Sequence, residues 1–166
     1  MIKRLYLVRH ATASQSVSPD IVRPLTSSGM IDVARMGKFL SKKIENPVDL
    51  VITSNAERTQ MTAKVLCEQL GIDEDKVLVR RSLYESSPKH YLDAINAIPE
   101  NVQTAILVGH NPSISYFAEY LTHAEIDSMP TCGVVAMTIE HFTWAEVGKK
   151  SATLTFYETP ESILGN

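Results

Sequence analysis

A chain of 166 residues with 44% hydrophobic and 21% charged residues has an ordinary globular balance, and its length fits one domain, 1–166. Its net charge of −3 argues against a general nucleic-acid binder, and no apolar run approaches the ~20 residues of a membrane span, so neither partner is expected. Two cysteines, Cys67 and Cys132, with no CxxC or metal-ligand spacing, and a short first apolar run broken by Arg9 instead of a signal peptide point to a cytoplasmic protein.

The elements alternate along the chain. Ile2 to Val8 reads as a buried strand, and the polar, proline-bearing stretch 11–25 as a loop. Thr26 reads as the N-cap of a helix running to about Ile44, with Ile31, Ala34, Phe39 and Leu40 on its apolar side. A short strand, Leu50 to Thr53, precedes a helix from Ala56 to Leu70 that stops at Gly71. Cys67 falls in the apolar pattern of that helix and reads as core. Val77 to Arg80 makes a further strand, Pro88 to Ile98 a helix, and Thr104 to Val108 the next strand. In "HNPS", Asn111 reads as an N-cap with Pro112 in the first helical position. The end changes character: Val134 to Glu140 and Ser151 to Glu158 alternate like two edge strands, antiparallel to each other.

This order predicts an α/β three-layer sandwich with a mostly parallel central sheet and an antiparallel edge near the C-terminus. Ligands of such sheets bind beyond the carboxyl ends of the strands. Chemistry-bearing residues fall at those ends. "LYLVRH" delivers Arg9 and His10 there, "AILVGH" delivers His110, and Arg58 lies in the first turn of the helix after "DLVITS". A cation at a helix N-terminus opposes the helix dipole, and a bound anion would remove the conflict. The plain alternative is an exposed arginine paired with Glu57. Arginine forks suit phosphate oxygens, and a neutral imidazole is a nucleophile toward phosphorus. Neighbouring arginines would keep His10 neutral at pH 7 by disfavouring the imidazolium. With Arg and His supplying positive charge, no metal is required, and no HExxH, aspartate-rich or GxxxxGK[ST] motif is present.

"LVRHATAS", "RPLTSSG", "VITSNAERTQMTA", "LYES" and "LVGHNPS", in this order and spacing, resemble the histidine phosphatase superfamily of phosphoglycerate mutase-like proteins. They are most similar to its short SixA-type phosphohistidine phosphatases. The resemblance covers residues 1 to about 120. It implies a phosphoglycerate mutase-like fold and a cofactor-free, two-step phosphoryl transfer. His10 would attack phosphorus and water would hydrolyse the phosphohistidine formed. Arg9, Arg58 and His110 would line the phosphate pocket. Glu85 resembles the proton donor, its alternative being a solvated loop carboxylate, and Arg23 and Asn111 would border the site. Ala11 stands where the superfamily signature has glycine, a substitution that SixA-type sequences share. Were that position to need a positive φ, alanine would be strained there.

The few residues between Leu83 and Pro88 leave little chain for a lid. An open, shallow site follows, suited to a phosphorylated side chain such as phosphohistidine on a partner protein. Two other readings stand beside it: a small-molecule phosphomonoesterase or mutase on the same fold, and a catalytically silent module that binds phosphorylated partners. His90, His123 and His141 lie in polar stretches and read as solvated.

Overall fold

The computed structural model describes residues 1–164. Six strands form one sheet: β1 (Lys3–Arg9), β2 (Leu50–Thr53), β3 (Val77–Val79), β4 (Thr104–Gly109), β5 (Val134–Ile139) and β6 (Thr153–Glu158). Five helices accompany them: α1 (Ser27–Lys43), α2 (Glu57–Leu70), α3 (Pro88–Asn96), α4 (Ser113–Thr122) and α5 (Pro160–Ile163). The strand order is β3-β2-β4-β1-β5-β6. The first four are mutually parallel, whereas β5 runs antiparallel to β1 and β6 antiparallel to β5. Only β6 lies at the rim of that flank. β5 is an inner strand between β1 and β6, and its side chains are almost all buried.

Alternation along the strands separates two cores. Leu5, Leu7, Ile52, Leu107 and Val135 pack under α3 and α4 with Tyr91, Ile95, Ile114 and Phe117. Tyr6, Val8, Val51, Ile106 and Val134 face the other way, against Val33, Met36 and Leu40 of α1 and Leu66 of α2. A fully buried aliphatic side chain contributes about 1.5–3 kcal/mol. A one-residue slip of β1 would exchange the two sets at once, so its register is strongly fixed.

The helices begin and end as local rules require. Thr26 caps α1, its hydroxyl accepting from the Gly29 N–H at 3.0 Å. Gly71 ends α2 at φ 67°, a left-handed turn that glycine adopts without penalty. Two sequence expectations are corrected. The buried stripe of α1 is Val33, Met36, Gly37 and Leu40, while Ile31 is 52% exposed, because α2 covers only that stripe. Asn111 does not cap α4, since the helix opens after Pro112. The Asn111 side chain instead donates to Ser128 Oγ and the Met129 carbonyl and accepts from Ser115 Oγ.

The sheet register places the site. Arg9 pairs with Gly109 and Thr53 with Val108, so His10, Ser54 and His110 leave three adjacent strands at neighbouring levels. Gly109, next to His110, makes room for Tyr91: a Cβ there would meet the Tyr91 hydroxyl at 2.5 Å.

Candidate active site

His10 follows β1 and is 8% exposed. Its Nδ1 lies 2.7 Å from the Ala11 carbonyl oxygen. A carbonyl only accepts, so Nδ1 carries the proton of the neutral ring and Nε2 keeps a bare lone pair. Burial first, then the charges of Arg58, Arg9 and Arg23, hold its pKa down to about 4, against the pull of the Ala11 hydrogen bond. The ring is therefore neutral at pH 7. The arginines act in the expected direction, but burial is the larger cause. Ala11 is not among the residues with positive φ and is fully buried, its N–H donating to Thr62 Oγ1. Alanine sits there without backbone strain.

Two guanidinium groups flank this ring. Arg9 donates from Nη1 to the Met129 carbonyl at 2.8 Å. Arg58, 7% exposed, donates to the Asp20 carbonyl at 2.9 Å and to its carboxylate at 3.0 Å. The acid beside Arg58 is thus Asp20, from a distant loop, and not Glu57. The Nε–H of both arginines is buried and has no hydrogen-bond partner among the described residues. A buried donor left unsatisfied costs about 1–3 kcal/mol, and more where it is charged. Both guanidinium groups line the cleft that His10 also lines, where an oxyanion would meet their charge. Burial and the charge of Arg58 also lower the Arg9 pKa, a strain that a bound anion relieves.

Asp20 gathers the loop side of the cleft. Its carboxylate accepts from Arg23 Nη1 at 2.9 Å and from the Tyr84 hydroxyl at 2.6 Å, as well as from Arg58. The Tyr84 hydrogen bond first, then those of Arg23 and Arg58, hold it well below the usual carboxylate range. It stays ionised and cannot act as a proton donor near neutrality. Arg23 is fixed in turn by an Nε–H bond to the Ser14 carbonyl.

His110 closes the site from β4. Its ring centroid is 5.4 Å from that of His10, and its Nε2 is 2.6 Å from Ser54 Oγ. Burial first, then His10 and Arg58, hold its pKa down to about 3. Its backbone N–H donates to the Tyr91 hydroxyl at 2.8 Å. Glu85 stands at the rim of the cleft, exposed and at φ 49°, and among the described residues no hydrogen bond to its carboxylate is found. Non-glycine residues seldom occupy this conformation.

Together these groups line a cleft of about 360 Å³, which includes Arg9, His10, Arg23, Arg58, Glu85, His110 and Asn111. The fold thus brings every residue singled out in the sequence to one cleft. Asp20, Tyr84, Ser54 and Thr59 were not singled out. Ser54, Thr59 and Tyr84 lie inside stretches that the sequence marks, whereas nothing in the spacing links Asp20 to Arg58. Among the described residues, no group of three or more His, Cys, Asp or Glu side chains is placed to hold a metal ion. No described helix is long and apolar enough to cross a membrane.

The model of the histidine phosphatase superfamily (branch 1) matches residues 5–88. An uncharacterised protein of Mycobacterium tuberculosis is 29% identical over 167 residues, spanning 92% of this chain and 99% of that protein. The phosphohistidine phosphatase SixA of Escherichia coli is 25% identical over 141 residues, spanning 80% and 83% of the two chains. A solved protein histidine phosphatase SixA in complex with tungstate superposes with a TM-score of 0.81 at 20% identity, covering 95% of this chain and 97% of that one. That likeness shows the fold, a phosphoglycerate mutase-like α/β sandwich.

Proposed function

The chain belongs to the histidine phosphatase superfamily, and from that premise we propose a metal-independent phosphatase that works through a phosphohistidine on His10 and removes phosphate from phosphohistidine in proteins. The observation that carries this reading is the bare Nε2 of His10 in a cleft that the guanidinium groups of Arg9 and Arg58 also line. Nε2 attacks phosphorus as the bond to the leaving group breaks, and water then hydrolyses the phosphohistidine, freeing phosphate and regenerating the neutral ring. Arg9 and Arg58 hold non-bridging oxygens, and His110 donates to a third.

Three features favour phosphohistidine over an alkyl ester. Leaving imidazole departs neutral when its other nitrogen carries a proton, so it needs little help from an acid, whereas an alkoxide needs a positioned donor. Here Asp20 is tied up as an anion, and Glu85 is solvent-facing and held by no hydrogen bond among the described residues. Only Tyr84 to Ser87 separate Leu83 from α3, which leaves the cleft without a cover and open to a side chain on a folded partner. A protein of the same fold, a protein histidine phosphatase SixA, has been solved in complex with tungstate, an oxyanion.

The test compares phosphate release from a phosphohistidine-bearing protein domain and from a sugar phosphate, in EDTA, with His10→Ala alongside. Faster, His10-dependent loss from the phosphohistidine domain is expected. Robust turnover of the sugar phosphate with none of the phosphohistidine domain would overturn the substrate assignment.

A further inference from the structure

Ser54 is wholly buried at the end of β2, and its hydroxyl has three neighbours. The Ala56 N–H lies 3.3 Å away, and Thr59 Oγ1 and His110 Nε2 lie at 2.6 Å each. A hydroxyl has one proton and two lone pairs. The Ala56 N–H takes one lone pair, so Ser54 donates to one of the two close partners and accepts from the other.

Local bonding admits both directions. The Thr59 hydroxyl reaches the carbonyls of Ser54 and Ala56 at 3.1 and 3.0 Å. Those carbonyls already accept from Thr53 Oγ1 and from the Gln60 N–H. Each carbonyl has a second lone pair, so the Thr59 proton can go to a carbonyl or to Ser54, and the Ser54 proton to Thr59 or to His110 Nε2. A phosphoryl group in the cleft calls for a donor on the free edge of His110, which selects Ser54 donating to Nε2. Nδ1 of His110 makes no hydrogen bond to the described residues. In a neutral ring with Nε2 bonded as an acceptor, Nδ1 carries the proton. The groups that face this ring agree with a neutral state: His10, Arg58 and Arg9 all oppose a charge on it, and only Asp20 favours one.

We propose that Ser54 is the positioning residue that fixes the tautomer of His110, so that its Nδ1–H serves as hydrogen-bond donor to the phosphoryl group. The two histidines then carry the same tautomer and present opposite edges to the cleft. His10 hides its proton against Ala11 and offers a lone pair. His110 spends its lone pair on Ser54 and offers a proton. Without Ser54, Nε2–H would be equally available, and a lone pair on Nδ1 would face the phosphoryl oxygens. The inference rests on the phosphoryl-transfer reading, whereas the tautomer is measured independently of turnover.

Long-range ¹H–¹⁵N spectra of the histidine rings test it, recorded for the wild type, Ser54→Ala and Thr59→Val, each with and without inorganic phosphate. Expected are an unprotonated Nε2 on His110 in the wild type and transfer of the proton to Nε2, fully or in part, in Ser54→Ala. Thr59→Val should keep the wild-type tautomer, because it removes the rival for the Ser54 proton and leaves His110 as its acceptor. In Ser54→Ala, kcat should fall about tenfold to a hundredfold, as when one oxyanion donor is misaligned. A wild-type His110 protonated on Nε2, or equal effects from Ser54→Ala and Thr59→Val, would overturn the proposal, the second by reducing it to packing. Should Ser54→Ala not fold, the wild type and Thr59→Val still decide. A chain that turned over no phosphorylated substrate would end the functional reading and leave the tautomer result standing.

Discussion

The two sides of the cleft are built differently. On the strand side, His10 and His110 leave neighbouring parallel strands, are pinned by a backbone carbonyl and a buried hydroxyl, and stand over a close-packed core. On the loop side, Asp20, Arg23 and Tyr84 hold chiefly one another, and the Asp20 side chain is 48% exposed. Arg58 joins the two, with its stem in α2 and its fork on Asp20. Rigid elements suit groups that must keep a reacting geometry, whereas loops suit groups that meet varied partners. On the proposed function, the difference assigns the chemistry to the strands and the choice of substrate to the loops.

Substitutions should therefore weaken in effect from the strand side to the loop side. His10→Ala removes the proposed nucleophile, and turnover should fall by roughly 10⁴-fold or more with the melting transition retained. Steady-state assays with the phosphohistidine domain check this, and substantial residual activity would break the comparison at its strongest point. Arg58→Lys keeps a charge but loses the planar fork that reaches both the phosphoryl site and Asp20. A loss of roughly 10²-fold in kcat/KM is expected.

Acid should act on the strand side too. His10 takes a proton near pH 6.5 in the unfolded chain and near pH 4 in the folded one. Between those values the unfolded state binds more protons, so stability is lost as pH falls through that window. His110, held to about 3, acts in the same direction. Urea unfolding should show roughly 2 kcal/mol less stability at pH 4.5 than at pH 7 from His10 alone. That component should vanish from the pH dependence of His10→Ala, and an unchanged slope would contradict it. Glu85→Gln, on the loop side, should be the mildest. We expect about threefold or less on phosphohistidine and at least tenfold on an alkyl phosphate, if carboxylate acid catalysis matters only for the poorer leaving group. Equal losses on both substrates would erase that distinction.

Much of this was legible in order and period. Alternating apolar runs marked the strands, Thr26 and Gly71 marked helix ends, and the strand-end positions of Arg9, His10 and His110 pointed to a common rim. The stripe of α1 was misjudged at Ile31 because sequence shows an apolar side chain but not how wide a strip a neighbour covers. Asn111 was read as a cap because Asn before Pro fits that role locally. Its amide is used instead by the loop at Ser128 and Met129, a contact across the fold.

By itself, the sequence determined the α/β architecture and the residues that arrive at the strand ends, because both follow from local periodicity and short connections. Only the tertiary structure decided the strand order, and with it that His10, Ser54 and His110 stand side by side. It alone also decided that Asp20 meets Arg58, 38 positions away, and which edge of each imidazole faces the cleft. These depend on packing and on proton positions set by distant partners, and no local pattern in the chain encodes them.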